Sequence, residues 1–436
     1  MLGKDELKDS VRWAIEREAD DVIKLGEAVY QQPELGYKET HTARLIAEKL
    51  SAMKLPVQTG LGITGVKATL TGYQKGIGLA ILSELDAVVC PGHPASDPAT
   101  GGAHACGHHA QLAAMYGAAR GLVATGAQEF LAGAVHFMAV PAEEYVEIEY
   151  RQRLREEGKI HFLGGKQELL ALGHFDDVDM AMMVHQANLN GDKKALVGGT
   201  SNGFIGKLIR YRGREAHAGG APHHGVNALN AAMLGLMGVH MLRETFQDQD
   251  HVRVHPIITK GGDLVNVVPA DVRVETYVRG QSIDAIADAS VKVNRALKAG
   301  ADAVGASVDI LELPGYLPRI LHEDLDQVFR DNIEALVGQG SVGTAGHGAG
   351  STDMGDLMHV MPAIHPAVGG CSGRAHSEDF GISDPHLAYV VPAQALAMTA
   401  IDLLWDQGQV ASNLCADFKP RYSRSEYLRI WERILE

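Results

Sequence analysis

Four side chains with metal-binding donors fall within positions 104–109: His104, Cys106, His108 and His109. They sit in the small-residue stretch Gly-Gly-Ala-His-Ala-Cys-Gly-His-His-Ala-Gln at 101–111, which runs into an apolar, helix-like segment over 112–122. Cys106 and His108 are two residues apart, close enough to bind one ion or bridge a pair, and the small neighbours let backbone approach closely. One histidine opening a helix is ordinarily just solvated. Four donors together have the composition of a metal site.

Two further stretches complete the set. The run 135–140 reads as a buried strand and is followed at once by Pro141-Ala142-Glu143-Glu144. Neighbours on extended backbone point to opposite sides, so one carboxylate can ligate a cation while the other reaches a water as general base. Later, the apolar run 180–184 ends in His185, and Ala375-His376-Ser377 offers a fourth candidate ligand. Asp86, just after a strand over 78–83, either binds metal or orients a ligand histidine.

The positioning elements follow from periodicity. Helical spacing runs over 9–30 and 40–55, and short strands over 65–70 and 78–83, an alternation that implies a mostly parallel sheet with ligands at the carboxyl ends of its strands. The charged segment 147–173 reads as a surface helix and loop. After 198–201 come a strand (204–212), a helix (226–245), strands (252–259 and 272–279) and a helix (283–298), an α+β insert ending near 314–315. The chain then returns through a glycine-rich 338–351, a strand-like 358–362, the His376 segment, a helix over 388–404 and an amphipathic closing helix over 422–436. Inside the insert His217 and Asn227 lie beside flexible glycines, while Asn266 and Arg279 add an amide and a fixed cation. Arg374, two residues before His376, is a candidate for an anionic group.

A chain of 436 residues, 46% hydrophobic and 21% charged, is long enough for two domains. No apolar run of bilayer length stands out and residues 1–20 are charged throughout, which places the expected location in the cytoplasm, with no membrane partner. Cys90, Cys106, Cys371 and Cys415 are too few and scattered for a disulfide framework, leaving Cys106 available as a thiolate. A net charge of −15 argues against a nucleic-acid partner but permits a small anionic substrate held by local arginines and histidines.

The order of motifs resembles the M20 metallopeptidase family, especially its branch of aminobenzoyl-glutamate hydrolases and amino-acid-conjugate hydrolases. The resemblance rests on Gln32-Pro33-Glu34-Leu35-Gly36 with Glu39, Glu84-Leu85-Asp86-Ala87, His104-Ala105-Cys106-Gly107-His108, Pro141-Ala142-Glu143-Glu144, His217 with Pro222 and Asn227, Asn266-Val267-Val268-Pro269, Ser351-Thr352-Asp353-Met354-Gly355-Asp356 and His376-Ser377. It implies an α/β catalytic domain like a zinc aminopeptidase, with a mixed, mostly parallel sheet, over 1–199 and 315–436. A ferredoxin-like α+β dimerisation and lid domain is inserted over 200–314. It implies Cys106, His108, Glu144, His185 and His376 as ligands of one or two divalent ions, Glu143 as general base, and His217, Asn227, Asn266 and Arg279 as substrate or transition-state contacts. His217 often comes from the partner subunit, so the resemblance implies a homodimer. Where the branch usually has Asp or Asn after Cys-Gly-His, and often His two positions on, this chain has His109 and Gln111; His109 is then an alternative ligand, a donor behind a ligand or a substrate contact.

The activity so implied is metal-assisted hydrolysis of a C–N bond in a small carboxylate-bearing substrate, an aryl or acyl amino-acid amide first. Deamination of an electron-poor aromatic amine, such as a nitroanthranilate, keeps the same activated water and is the alternative raised by the altered loop. A non-catalytic metal-binding protein is the third reading, disfavoured by Glu143 beside five ligand candidates. Mixed N, O and S donors suit manganese, zinc and cobalt alike.

Overall fold

Residues 78–82, Gly-Leu-Ala-Ile-Leu, carry no side chain suited to water, the pattern of a strand covered on both faces. In the computed structural model, which describes residues 2–189 and 191–435, they form the inner part of the strand Gln74–Glu84. This strand lies within a six-stranded sheet of order Val57–Leu61, Gly65–Thr71, Ala132–Val140, Gln74–Glu84, Met180–Met182, Ala363–Ile364. The first two pairings are antiparallel and the other three parallel. The sheet is thus mixed and mostly parallel, as expected, and Glu84, Val140 and Met182 end three adjacent parallel strands.

The helices His108–Ala124 and Val391–Leu404 are buried around nearly their whole circumference, which explains why neither shows a marked polar face. Close packing depends on missing side chains: a Cβ on Gly121 would lie 2.4 Å from Cγ1 of Ile15. The segment His386–Leu404 is long and apolar enough to cross a bilayer, against the expectation from the sequence, but it is largely buried inside the fold. It packs on His108–Ala124, Glu323–Val337 and Lys4–Arg17.

Several expectations need correction. The helix over 9–30 is two helices, Lys4–Arg17 and Ala19–Tyr30, broken where Glu18 leaves helical geometry at φ −101° and ψ 11°. The apolar stripe runs on from Ile15 to Val22, so the break left no trace in the periodicity. The 358–362 segment is not a strand: Met354–Met358 is helical, and pairing begins only after Pro362, at Ala363–Ile364. The 147–173 segment is only partly a surface feature: Glu149, Arg153 and residues 156–159 are exposed, while 162–170 is buried. Arg151, Lys166 and Glu168 are buried because each meets a partner inside; Arg151 donates to the carbonyls of Ala142 and Leu163, and Glu168 accepts from the amides of His161 and Phe162.

The chain divides into two compact units: Met1–Gly199, Ile320–Gly346 and Asp356–Arg424 in the first, and Thr200–Arg319, His347–Gly355 and Ser425–Glu436 in the second. Met1 and Glu436 themselves lie outside the described residues. In the second unit an antiparallel sheet takes the order Arg253–Val254 with Ile257–Lys260, then Asp271–Gly280, Gly203–Arg212 and Ser307–Tyr316. The helices Ala228–Met241 and Ile283–Asp302 pack on it and on each other. Strand–helix–strand–strand–helix–strand with this order is ferredoxin-like. The strand Ser307–Tyr316 was not anticipated, and the expected 252–259 strand is interrupted at Pro256, which has no amide to donate. The short strand His347–Gly348 pairs in parallel with Thr200–Ser201, drawing 347–355 into this unit.

Candidate metal centre

The candidate ligands of the first unit sit at the ends of regular elements or in the turns between them. Glu143 and Glu144 follow the strand Ala132–Val140, and His185 follows Met180–Met182. His108 opens its helix behind Gly107, whose φ of 97° is left-handed and favours glycine. His376 holds a left-handed φ of 62°, and its amide donates to the Ala105 carbonyl at 2.8 Å, tying the two donor loops together.

The side chains converge. Nε2 of His376 lies 3.3 Å from Sγ of Cys106 and 3.0 Å from Oε1 of Glu144, and Nε2 of His185 lies 3.5 Å from the same sulfur. Nε2 of His108 is 3.0 Å from Oε2 of Glu84, 3.9 Å from Oε2 of Glu143 and 4.0 Å from Oε1 of Glu144. Three overlapping groups have donor atoms within 4.8 Å of one another: Cys106, His108 and His185; Cys106, Glu144 and His376; Glu84, His108 and Glu143.

Hydrogen bonding behind the ligands shows that they suit a cation. Nδ1 of His108 is 2.9 Å from the Asp86 carbonyl, and Nδ1 of His185 is 2.7 Å from the Gln186 carbonyl. A carbonyl only accepts, so each Nδ1 carries hydrogen and each Nε2 faces thiol or carboxylate. Burial lowers both rings, but Glu84 and Cys106 raise His108 and Cys106 raises His185, so without an ion both rings share a proton with those anions. The same Nε2 atoms become lone-pair donors once a cation displaces those protons. Nε2 of His108 and Oε1 of Glu144 are also buried and make no well-aligned hydrogen bond. Burial and Glu144 push the Cys106 thiol up, but His185 and His108 outweigh them and bring it down to about 6, within reach of thiolate at neutral pH. Burial likewise raises Glu144, yet His376 holds it down at about 2.

Asp86 does not join these groups. Its Oδ2 accepts the Glu144 amide at 2.9 Å, and its Oδ1 lies 3.3 Å from Nδ1 of His108, so it orients rather than ligates. Nor is His109 brought in. Its helix turns the ring into a pocket 5.0 Å from Tyr30 and 5.4 Å from His104, where burial brings its pKa down to about 3. Arg374 is exposed, its Nε 3.9 Å from Asp379.

The remaining candidates belong to the second unit. Nδ1 of His217 accepts the amides of Gly219 and Gly220 at 3.2 and 3.0 Å, which leaves the hydrogen of the neutral ring on Nε2. Backbone pairing of His217 with Val267 and of Ala218 with Asn266 joins the two loops. Asn227 caps the helix Ala228–Met241, its Oδ1 accepting from Leu229 and Asn230. Nη1 of Arg279 donates to Ser351 at 2.8 Å, and its guanidinium lies over Phe204.

Sequence reasoning quoted Glu39 and Glu84 among the motifs without giving either a role, and it passed over Lys166. Glu84 had a signal, since it lies two residues from Asp86 and so on the same side of an extended segment. Glu39 accepts the Ala142 amide at 2.8 Å and the Thr64 hydroxyl at 2.6 Å, steadying the turn that carries the paired glutamates. Lys166 had none; it reaches Glu84 across 82 positions of sequence.

Residues 80–399 match Peptidase family M20/M25/M40. The chain is 30% identical over 424 residues to a mouse (Mus musculus) Xaa-Arg dipeptidase, covering 92% of this chain and 89% of the relative. Among solved structures it is similar to a dinuclear metal binding peptidase of the M20 family from Bacillus subtilis, with TM-score 0.64 and 20% identity over 89% of this chain and 99% of that one. It is also similar to an aminobenzoyl-glutamate utilization protein from Klebsiella pneumoniae, with TM-score 0.68 and 20% identity over 90% and 98%.

Proposed function

Because the chain belongs to peptidase family M20/M25/M40 and is therefore a metal-dependent hydrolase of amide bonds, we propose that its substrate is a small carboxylate-bearing amide joining an aryl or acyl group to an amino acid. The observation that carries this reading is the adjacent pair Glu143 and Glu144, both within 4.0 Å of His108. Cys106, His108, Glu144, His185 and His376 would hold one or two divalent ions, manganese, zinc or cobalt. When bound, such an ion acidifies water and withdraws charge from a carbonyl oxygen.

The other steps fall to side chains. Glu143 takes a proton from the attacking water and returns it to the departing nitrogen, one group serving as base and then acid. His217, with Nδ1 occupied by two amides, offers Nε2–H to the negative charge that develops on oxygen. Arg279 and Asn266 bind the substrate carboxylate, Asn227 adds its side-chain N–H, and Arg374 at the rim draws in the anion. The unit of 1–199, 320–346 and 356–424 makes the catalytic domain, and the unit of 200–319, 347–355 and 425–436 the dimerisation and lid domain of a cytoplasmic homodimer, in which His217 serves the partner's site. Deamination has less support, because the residues that suggested it turn elsewhere: His109 into an aromatic pocket and Gln111 onto Glu84.

The test is Glu143→Ala, assayed over aryl-amino-acid amides and amino-substituted benzoates together with metal analysis. Activity should vanish with metal content nearly intact. Loss of metal would make Glu143 a ligand instead, and ammonia released without a second organic product would favour deamination.

A further inference from the structure

Glu84 is the carboxylate that this centre leaves without a task, and it is the one most completely tied down. It is buried, as are its partners Lys166 and Gln111. Nζ of Lys166 lies 2.5 Å from Oε1, Nε2 of Gln111 donates to Oε2 at 2.8 Å, and the Glu84 amide donates back to Oε1 of Gln111 at 3.2 Å. Yet Glu84, His108 and Glu143 have the spacing of a metal-binding group. A cation captured there would engage Glu143, and a carboxylate engaged by a cation is a poor acceptor for a proton from water. Two nearby charges of opposite sign interact strongly in so dry a place, so an ammonium on Glu84 opposes the approach of a second cation.

We propose that Lys166 and Gln111 are positioning residues that keep Glu84 from serving as a metal ligand and so reserve Glu143 for proton transfer. The ammonium neutralises the carboxylate on one oxygen and the amide occupies the other. The inference rests on the reading of Glu143 as general base, but its own test is cation binding, so the two can fail separately.

The experiment is calorimetric titration of the metal-free full chain with Mn²⁺, comparing the native protein, Lys166→Met and the double variant Lys166→Met with Glu84→Gln. Lys166→Met should bind an additional ion, or bind its weakest ion at least about tenfold more tightly. The double variant should return to native stoichiometry and affinity. Turnover should fall in the single variant and recover in the double, a rescue that simple repacking would not give. A folded Lys166→Met with native Mn²⁺ binding overturns the proposal, and so does equal tightening in the double variant. If Lys166→Met does not fold, Gln111→Leu carries the test: tighter Mn²⁺ binding supports the proposal and unchanged binding overturns it.

Discussion

Glu39 shows how far from the ligands the centre's electrostatics extend. Burial, and after it the Asp86 charge, push its carboxyl up to about 7 from an ordinary 4.5. Between those values the folded chain holds a proton that the unfolded chain releases, so stability falls as pH rises through this window and levels off above it. A shift of this size corresponds to about 3 kcal/mol. Glu39→Gln keeps an oxygen for the Ala142 amide and offers N–H to Thr64. Urea unfolding of the metal-free variant between about pH 5 and 8 should therefore lose most of this slope, with the gain in stability on the alkaline side. At this scale the sequence was legible where chemistry clusters along the chain, as in Cys106 and His108 or Glu143 and Glu144. It was illegible where partners meet only through folding: nothing near Lys166 announces Glu84, and nothing near Glu39 announces Ala142.

Elements were readable in proportion to their regularity. The alternation along Phe204–Arg212 and the apolar run before Glu84 gave their strands because burial repeats every residue or every second one. The break at Glu18 and the two-residue strands near His185 and Ala367 left no periodic record, being too short to have a period. Caps are a middle case. Asn227 marks the start of Ala228–Met241 as a capping residue should, although its place beside glycines and histidines suggested ligand contact alone. The two duties separate by substitution. Asn227→Ala should cost about 1 kcal/mol of stability in thermal or urea unfolding. Asn227→Asp keeps the capping oxygen and should cost much less while still removing the side-chain N–H proposed to meet substrate, so a rise in KM at near-native stability is the expected result.

For the molecule as a whole, the question is what covers the outer side of Ala228–Met241. Met233, Met237 and Met241 are 51%, 53% and 73% exposed, at spacings that place them on one side of the helix. Methionine adapts its shape to a partner surface, and a stripe of it is consistent with the proposed subunit contact. Met237→Glu would put a charge at the middle of that contact. Light scattering should then show a monomer where the native chain gives a dimer, with activity lost if His217 serves across the pair. The wider plan was legible because two different periodicities mark the two kinds of sheet. The boundaries were less so: 347–355 joins the second unit through a two-residue strand that no composition signals. The polypeptide therefore changes units at five places, after residues 199, 319, 346, 355 and 424. A swap of this second unit between relatives made with only two splice points would strand the pieces beyond residue 319. A transplant would have to carry three separate stretches together, so no single exchange of a continuous segment can move this unit intact.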